Sequence, residues 1–195
     1  KDWGGRVSVA LVYPNTYAVG MSNLGFQTIY DHLNNLPHAV CERVFFPDPE
    51  DVDEYARTGT APFSLESQRA LGDFDLVGFS ITYEGDYINV VRLLRMAGLP
   101  LRAGDRRPTD PVVLMGGVCA FSNPEPMAPF MDAIVVGEGE EAVTELIEAY
   151  RAAQDGDGES RRRRVIEGWK PLAGVYVPEA YGVAYAADGR IGSVI

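Results

Sequence analysis

Residues 74–82, FDLVGFSIT, and 132–136, DAIVV, run apolar over consecutive positions rather than alternate ones. A strand with one wet face alternates, so a strand apolar throughout must be covered on both faces. Similar runs occur at 6–14 (RVSVALVYP) and 111–117 (PVVLMGG). AVCERVFFP (39–47), rich in β-branched and aromatic residues, reads as a further strand. Helical periodicity fills the intervals. SNLGFQTIYDHLNN (22–35) spaces Leu24, Ile29 and Leu33 for one helical face, with Ser22 as the expected N-cap. PEDVDEYART (49–58) reads as a short acidic helix, and DYINVVRLLRMAGL (86–99) as a longer one that ends at Gly98. EEAVTELIEAYRAA (140–153) follows directly on the last apolar strand.

Strands alternating with helices, each strand fit for burial on both faces, predict an α/β fold. The expected form is a flavodoxin-like, doubly wound, five-stranded parallel sheet of order 2-1-3-4-5, with a small C-terminal β appendage. The expected divisions are an α/β domain over 1–154, a linker over 155–170 and the appendage over 171–195. The linker rests on DGDGESRRRR (155–164), which is polar and dense in charge. The appendage rests on short β-like runs around a turn at Asp188-Gly189. It either packs beside the sheet or opens a following catalytic domain. The absence of an initial Met, and an end in mid-pattern at RIGSVI, lead to the expectation of a piece cut from a longer protein.

The net charge of −11 argues against a nucleic-acid backbone as partner, and the basic run Arg161–Arg164 reads as a solvated linker, with a local RNA contact as the alternative. Two cysteines far apart in sequence argue against a disulfide scaffold and suit a reducing cytoplasm. No apolar stretch reaches the ~20 residues of a membrane span, so no membrane partner is expected.

Open parallel sheets bind ligands beyond the carboxyl ends of their strands. Here those ends carry small and polar residues. Strand one leads into Asn15, Tyr17, Gly20, Met21, Ser22 and Asn23. Strand three leads into Ser80, Thr82, Tyr83 and Glu84. Strand four leads into Gly116, Gly117, Val118 and Cys119, and strand five into Gly137, Glu138, Gly139 and Glu140. All are expected on one edge. Bland roles compete at each: Ser80 and Thr82 can satisfy backbone groups, Gly116-Gly117 can be a simple turn, and Glu140 suits the first turn of a helix. His32 and His38 have no carboxylate partner in sequence and suggest no metal site.

The sequence of these ends resembles the cobalamin-binding domain. That family has D-x-H-x-x-G after strand one, S-x-L or S-x-T after strand three and G-G after strand four. The matching residues are Asn15, Tyr17 and Gly20; Ser80 and Thr82; and Gly116 and Gly117. Longer phrases, YPNTYAVGMSNLGFQTIYDHLN, FDLVGFSITYE and MGGVCAFSNPEPMAPFMDAIVVGEGE among them, resemble a narrower group. It is the N-terminal B12-binding-like domain of an uncharacterised radical S-adenosylmethionine protein family. The resemblance implies a loop after strand one beneath cobalt, and a slot beside Ser80 and the glycine pair for the cofactor's nucleotide tail. It implies no catalytic residue here, with Glu138 and the strand-end residues as cofactor contacts. It also implies that the [4Fe-4S] cluster and S-adenosylmethionine belong to a downstream domain of the full-length protein, which is this domain's partner. Cys41 and Cys119 cannot supply the three cluster thiolates. Tyr17 stands where the cobalt-ligating His would be, and Asn15 where its orienting Asp would be, so no His ligation is expected from this loop. One rival reading is a domain that keeps the fold without the cofactor and serves for docking; the other, a receiver-like module, is opposed by the lack of an adjacent acidic pair after strand one and by Ser80 where strand three would need an Asp.

Overall fold

The computed structural model describes residues 2–153 and 160–194. Strand β1 (Val7–Tyr13) is buried at all seven positions. It lies between β2 (Ala39–Phe45) and β3 (Leu76–Ser80), parallel to both, with Leu11 opposite Arg43 and Gly78. β4 (Val112–Gly116) and β5 (Ala133–Val135) extend the sheet in parallel. The five parallel strands thus take the expected order 2-1-3-4-5. A sixth strand, β6 (Val175–Tyr176), joins antiparallel to β5 at the far edge. The sheet therefore has six strands rather than five, and part of the expected appendage belongs to it. β7 (Val183–Tyr185) and β8 (Ile191–Val194) form a separate antiparallel pair.

The consecutive apolar residues split by parity onto two faces, as their two-sided burial requires. Val7, Val9, Leu11, Leu76, Val112 and Val135 pack beneath α2 (Leu24–Asn35) and α6 (Gly139–Ala152). Ala10, Val12, Val77, Phe79, Val113 and Met115 pack beneath α4 (Tyr87–Met96) and α5 (Val118–Ser122). Asn23, not Ser22, caps α2. Asn23 is extended and its Oδ1 accepts the Phe26 N–H at 2.9 Å, whereas Ser22 is already helical and its hydroxyl donates to the Val19 carbonyl at 2.7 Å. Ser22 in fact closes a short extra helix, α1 (Tyr17–Met21), in the loop after β1.

The expected linker is the largest departure. Residues 155–159 lie outside the described residues, but Arg161–Trp169 form a helix, α7, with Val165, Ile166 and Trp169 buried beside α6. The Trp169 indole donates to the Leu146 carbonyl at 3.1 Å. The arginines are not a solvated run. Arg162 pairs with Asp132, whose other oxygen accepts from Arg106 at 3.0 Å and from the Val113 N–H at 2.8 Å. Arg161 reaches Asp75 at 3.2 Å, and Asp75 also accepts from Ser8 and from the Tyr150 hydroxyl. Both aspartates immediately precede β3 or β5, so the amino ends of the strands are tied to α7. The acidic helix, α3 (Val52–Thr58), is followed by a segment, 61–70, that covers the outer edge of β2. There Leu65 N–H bonds the Arg43 carbonyl at 2.9 Å, and buried Glu42 accepts from Trp3, Ser64 and Ser67. An edge strand covered in this way is blunted against pairing with another chain. No helix among the described residues is long and apolar enough to cross a membrane.

Candidate functional site

The strand order reverses direction between β1 and β3, and the carboxyl ends there open into a cavity of about 360 Å³. That lies within the ~300–1,000 Å³ of typical ligand sites. Its floor is one face of the sheet: Leu11, Gly78, Leu114 and Val135. Ile29 of α2 and Val143 of α6 form its walls. Asn23, Gly25, Ser80, Thr82, Gly116, Gly117, Gly137, Gly139 and Glu140 lie toward the mouth.

Glycines make room for the cavity. Gly78 sits mid-strand on the floor, where a Cβ would meet nothing closer than Leu11 and Leu114 at 3.9 Å. Gly117 turns the chain from β4 into α5 at φ +97°, and a Cβ there would lie 2.7 Å from the Ile81 carbonyl oxygen. This left-handed conformation and close approach admit only glycine without strain. The same turn holds the end of β3, since Ile81 N–H bonds the Gly116 carbonyl and Cys119 N–H bonds the Ile81 carbonyl.

The expected site residues divide into three groups. Asn23, Ser80, Thr82, Gly116, Gly117 and Val118 line the cavity together. Tyr17, Tyr83, Glu84 and Glu138 are exposed on the same edge without lining it. Gly20, Met21, Ser22, Asn15 and Cys119 have structural partners. A Cβ on Gly20 would meet Phe45 Cε1 at 2.4 Å, so this glycine lets α1 lie against the Phe45 ring. Arg43 reaches the Met21 sulfur at 3.4 Å. Asn15 donates from Nδ2 to buried Asp86 at 2.8 Å and accepts the Thr16 N–H on Oδ1 at 2.8 Å. Burial pushes the Asp86 carboxyl above its usual range, with the Asn15 bond opposing. Burial likewise pushes the Cys119 thiol up, which keeps it protonated and unreactive at neutral pH.

Tyr17 is 53% exposed and sets its ring edge against Phe45, with centroids 5.3 Å apart. Neither histidine serves the edge: His32 bonds Thr144 at 2.8 Å, and His38 is exposed just before the amino end of β2. Among the described residues no cluster of His, Cys, Asp or Glu could hold a metal ion.

Sequence reasoning missed the floor and walls, which read as ordinary core. One signal was present, since an isolated glycine inside an apolar strand marks a close approach of something to the backbone, and Gly78 is such a glycine. Of the exposed apolar residues that rim this edge it named Tyr83 and missed the others. Val19, Leu24, Tyr83, Ile88 and Phe121 are exposed on the segments that follow β1, β3 and β4, Leu24 and Phe121 to 77% and 73%. A larger, open hollow of about 970 Å³ lies beside β6 and α7, away from these strand ends.

Among known proteins, the chain is 26% identical over 133 residues to an uncharacterized protein of Methanocaldococcus jannaschii, an alignment covering 67% of this chain and 24% of that one. The chain thus spans about a quarter of that relative's length, 24%. Residues 25–178 match the family described as radical SAM proteins, N-terminal. The match includes the cavity's α2, β3, β4, β5 and α6 and runs through α7 and β6, so the chain belongs to the N-terminal domain family of radical SAM proteins.

Proposed function

We propose that this domain seats a corrinoid on its carboxyl edge and presents it to the catalytic part of a radical SAM protein. The observation that carries the reading is the glycine-floored cavity at the switch point, open at the strand ends and apolar within. A nucleotide tail needs a slot that side chains do not fill, and Gly78, Gly116 and Gly117 leave one between the sheet and helices α2 and α6. The exposed apolar rim suits the broad face of a macrocycle or of a neighbouring domain. The residues fit a corrinoid held without an imidazole from the loop after β1, because Tyr17 leans on Phe45 and His32 is engaged elsewhere. When bound, the corrinoid supplies a cobalt centre for methyl transfer or electron transfer. The chain's own residues hold the tail, shape the edge and exclude water from the floor.

The test uses Gly78, whose backbone is in the ordinary β region. Gly117 is unsuitable because any side chain there strains its left-handed backbone. Gly78→Ala leaves room, while Gly78→Leu fills the space between Leu11 and Leu114. The parent and Gly78→Ala proteins are expected to retain hydroxocobalamin through desalting, read by visible absorbance. Gly78→Leu is expected to lose at least about tenfold in affinity while still folding, the scale of overpacking a small site. Tyr17→His is expected to shift the bound spectrum by introducing an imidazole. A second reading is favoured by the apolar rim, in which this edge docks the catalytic part with no cofactor between them. Absence of retained cobalamin in the full-length parent would leave that reading alone.

A further inference from the structure

We infer that the cavity selects among corrinoids by the polarity of the tail's base, taking a benzimidazole-type base in preference to a purine; this rests on the corrinoid reading above. The argument is one of depth. Gly78 precedes Ser80 along β3 and Thr82 in the segment that follows, and Leu114 precedes Gly116 along β4, so the earlier residues lie farther from the open strand ends. Ile29 and Val143 lie farther along α2 and α6 than Gly25 and Glu140, so they too are deep. Every deep side chain is therefore apolar: Leu11, Ile29, Leu114, Val135 and Val143, around Gly78.

Backbone groups do not relieve this. The floor strands are inside the sheet, with Leu11 paired to Gly78 and Gly78 to Leu114, so their N–H and carbonyl groups serve the ladders. The polar side chains come only at the mouth. Asn23 Oδ1 is engaged by the Phe26 N–H, and the Thr82 hydroxyl is bonded to that of Tyr13 at 2.8 Å. Ser80 and Glu140 complete the set.

A purine base carries an exocyclic amine and several ring nitrogens on the edge that enters first. In this floor they would exchange water for carbon. A benzimidazole enters with a carbon edge; its one free ring nitrogen, which the purine has as well, sits in the five-membered ring next to the sugar and so does not distinguish the two. Each polar group stripped of water without a replacement bond costs binding about tenfold or more. An apolar pocket rejects a polar near-isostere by no more than roughly a hundredfold. The two bases share a fused two-ring core; the methyl groups of dimethylbenzimidazole add apolar surface that the same carbon-lined floor favours.

The experiment is equilibrium dialysis of the full-length protein, from a host grown without corrinoids, against two probes. One is hydroxocobalamin, with dimethylbenzimidazole as its base; the other is the corresponding hydroxo-corrinoid with adenine. The expected result is tighter binding of the first by about 10- to 100-fold. Val143→Thr, nearly isosteric but with a hydroxyl in the wall, is expected to narrow that ratio severalfold while leaving the melting temperature close to the parent's. Equal binding, or tighter binding of the adenine form, overturns the inference and leaves the corrinoid reading in place. Binding of neither probe overturns both.

Discussion

Asp86 is the residue whose position is hardest to justify by stability. It is buried at the carboxyl edge, accepts a bond from Asn15, and its carboxyl is held above the usual range by burial, which the Asn15 bond only partly opposes. An acid whose proton is held more tightly in the fold than in the unfolded chain costs stability once the pH rises through its range. The cost is complete at neutral pH and absent below the unfolded value of about 3.9. Asp86→Asn keeps an acceptor for Asn15 and removes the charge. It should therefore unfold at a higher urea concentration than the parent at pH 7, with the two curves converging below about pH 3.9. A variant less stable at pH 7 would show that the carboxylate has a partner worth more than its burial. Legibility differed sharply between residues. Ser80, Thr82 and the glycine pair could be placed at the site because they close apolar runs. Leu11, Leu114 and Val135 could not, since a cavity floor and a packed core call for the same side chains. Asp86 opens the helical run at 86–99 with nothing local to mark it as buried, because its burial depends on the loop after β1, far away in sequence.

At the scale of elements, α7 shows where local pattern fails. Four arginines after an acidic stretch carry no apolar periodicity of their own, and the carboxylates that receive Arg161 and Arg162 lie at positions 75 and 132. Only the sheet brings those carboxylates to one edge. The buried side of α7, Val165, Ile166 and Trp169, was too short a signal to outweigh the charge run. The two neighbouring arginines should nevertheless differ in worth. Arg161 is half exposed, and an ion pair of that kind contributes less than about 1 kcal/mol. Arg162 meets an aspartate that is 98% buried by its 2% side-chain exposure, and breaking such a pair costs about 3 kcal/mol or more. Urea denaturation of Arg161→Ala and Arg162→Ala should separate them in that order. Equal losses would mean that Arg106 and the Val113 N–H satisfy Asp132 alone. Four of the five parallel strands, by contrast, were legible because two-sided burial leaves an almost unbroken apolar run, and β2 was legible from its β-branched and aromatic residues. β6 was not, being two residues long and dependent on β5 for its place.

For the whole molecule, the packing of α7 beside α6 bears on where the folding unit ends. An end near residue 154 would strip α7 and β6 from the face that α6 shares, exposing Trp169's site and the last edge of β5. A chain ending at 154 should aggregate or melt without a cooperative transition, while one ending at 178, where the family match also stops, should melt as a single unit. Calorimetry on the two lengths decides it, and a cooperative transition in the shorter chain would return α7 to the status of an accessory. The two ends of the sheet then stand in contrast. At the amino ends, Asp75 and Asp132 fasten strands to helices through charge and hydrogen bonds, whereas at the carboxyl ends glycines line an opening and the segments that follow carry exposed apolar side chains. Inheritance can treat these ends differently. A lineage could exchange Leu24, Tyr83 or Phe121 for other surfaces and so change what the domain grips, while the fastened end carries the fold unchanged through each exchange.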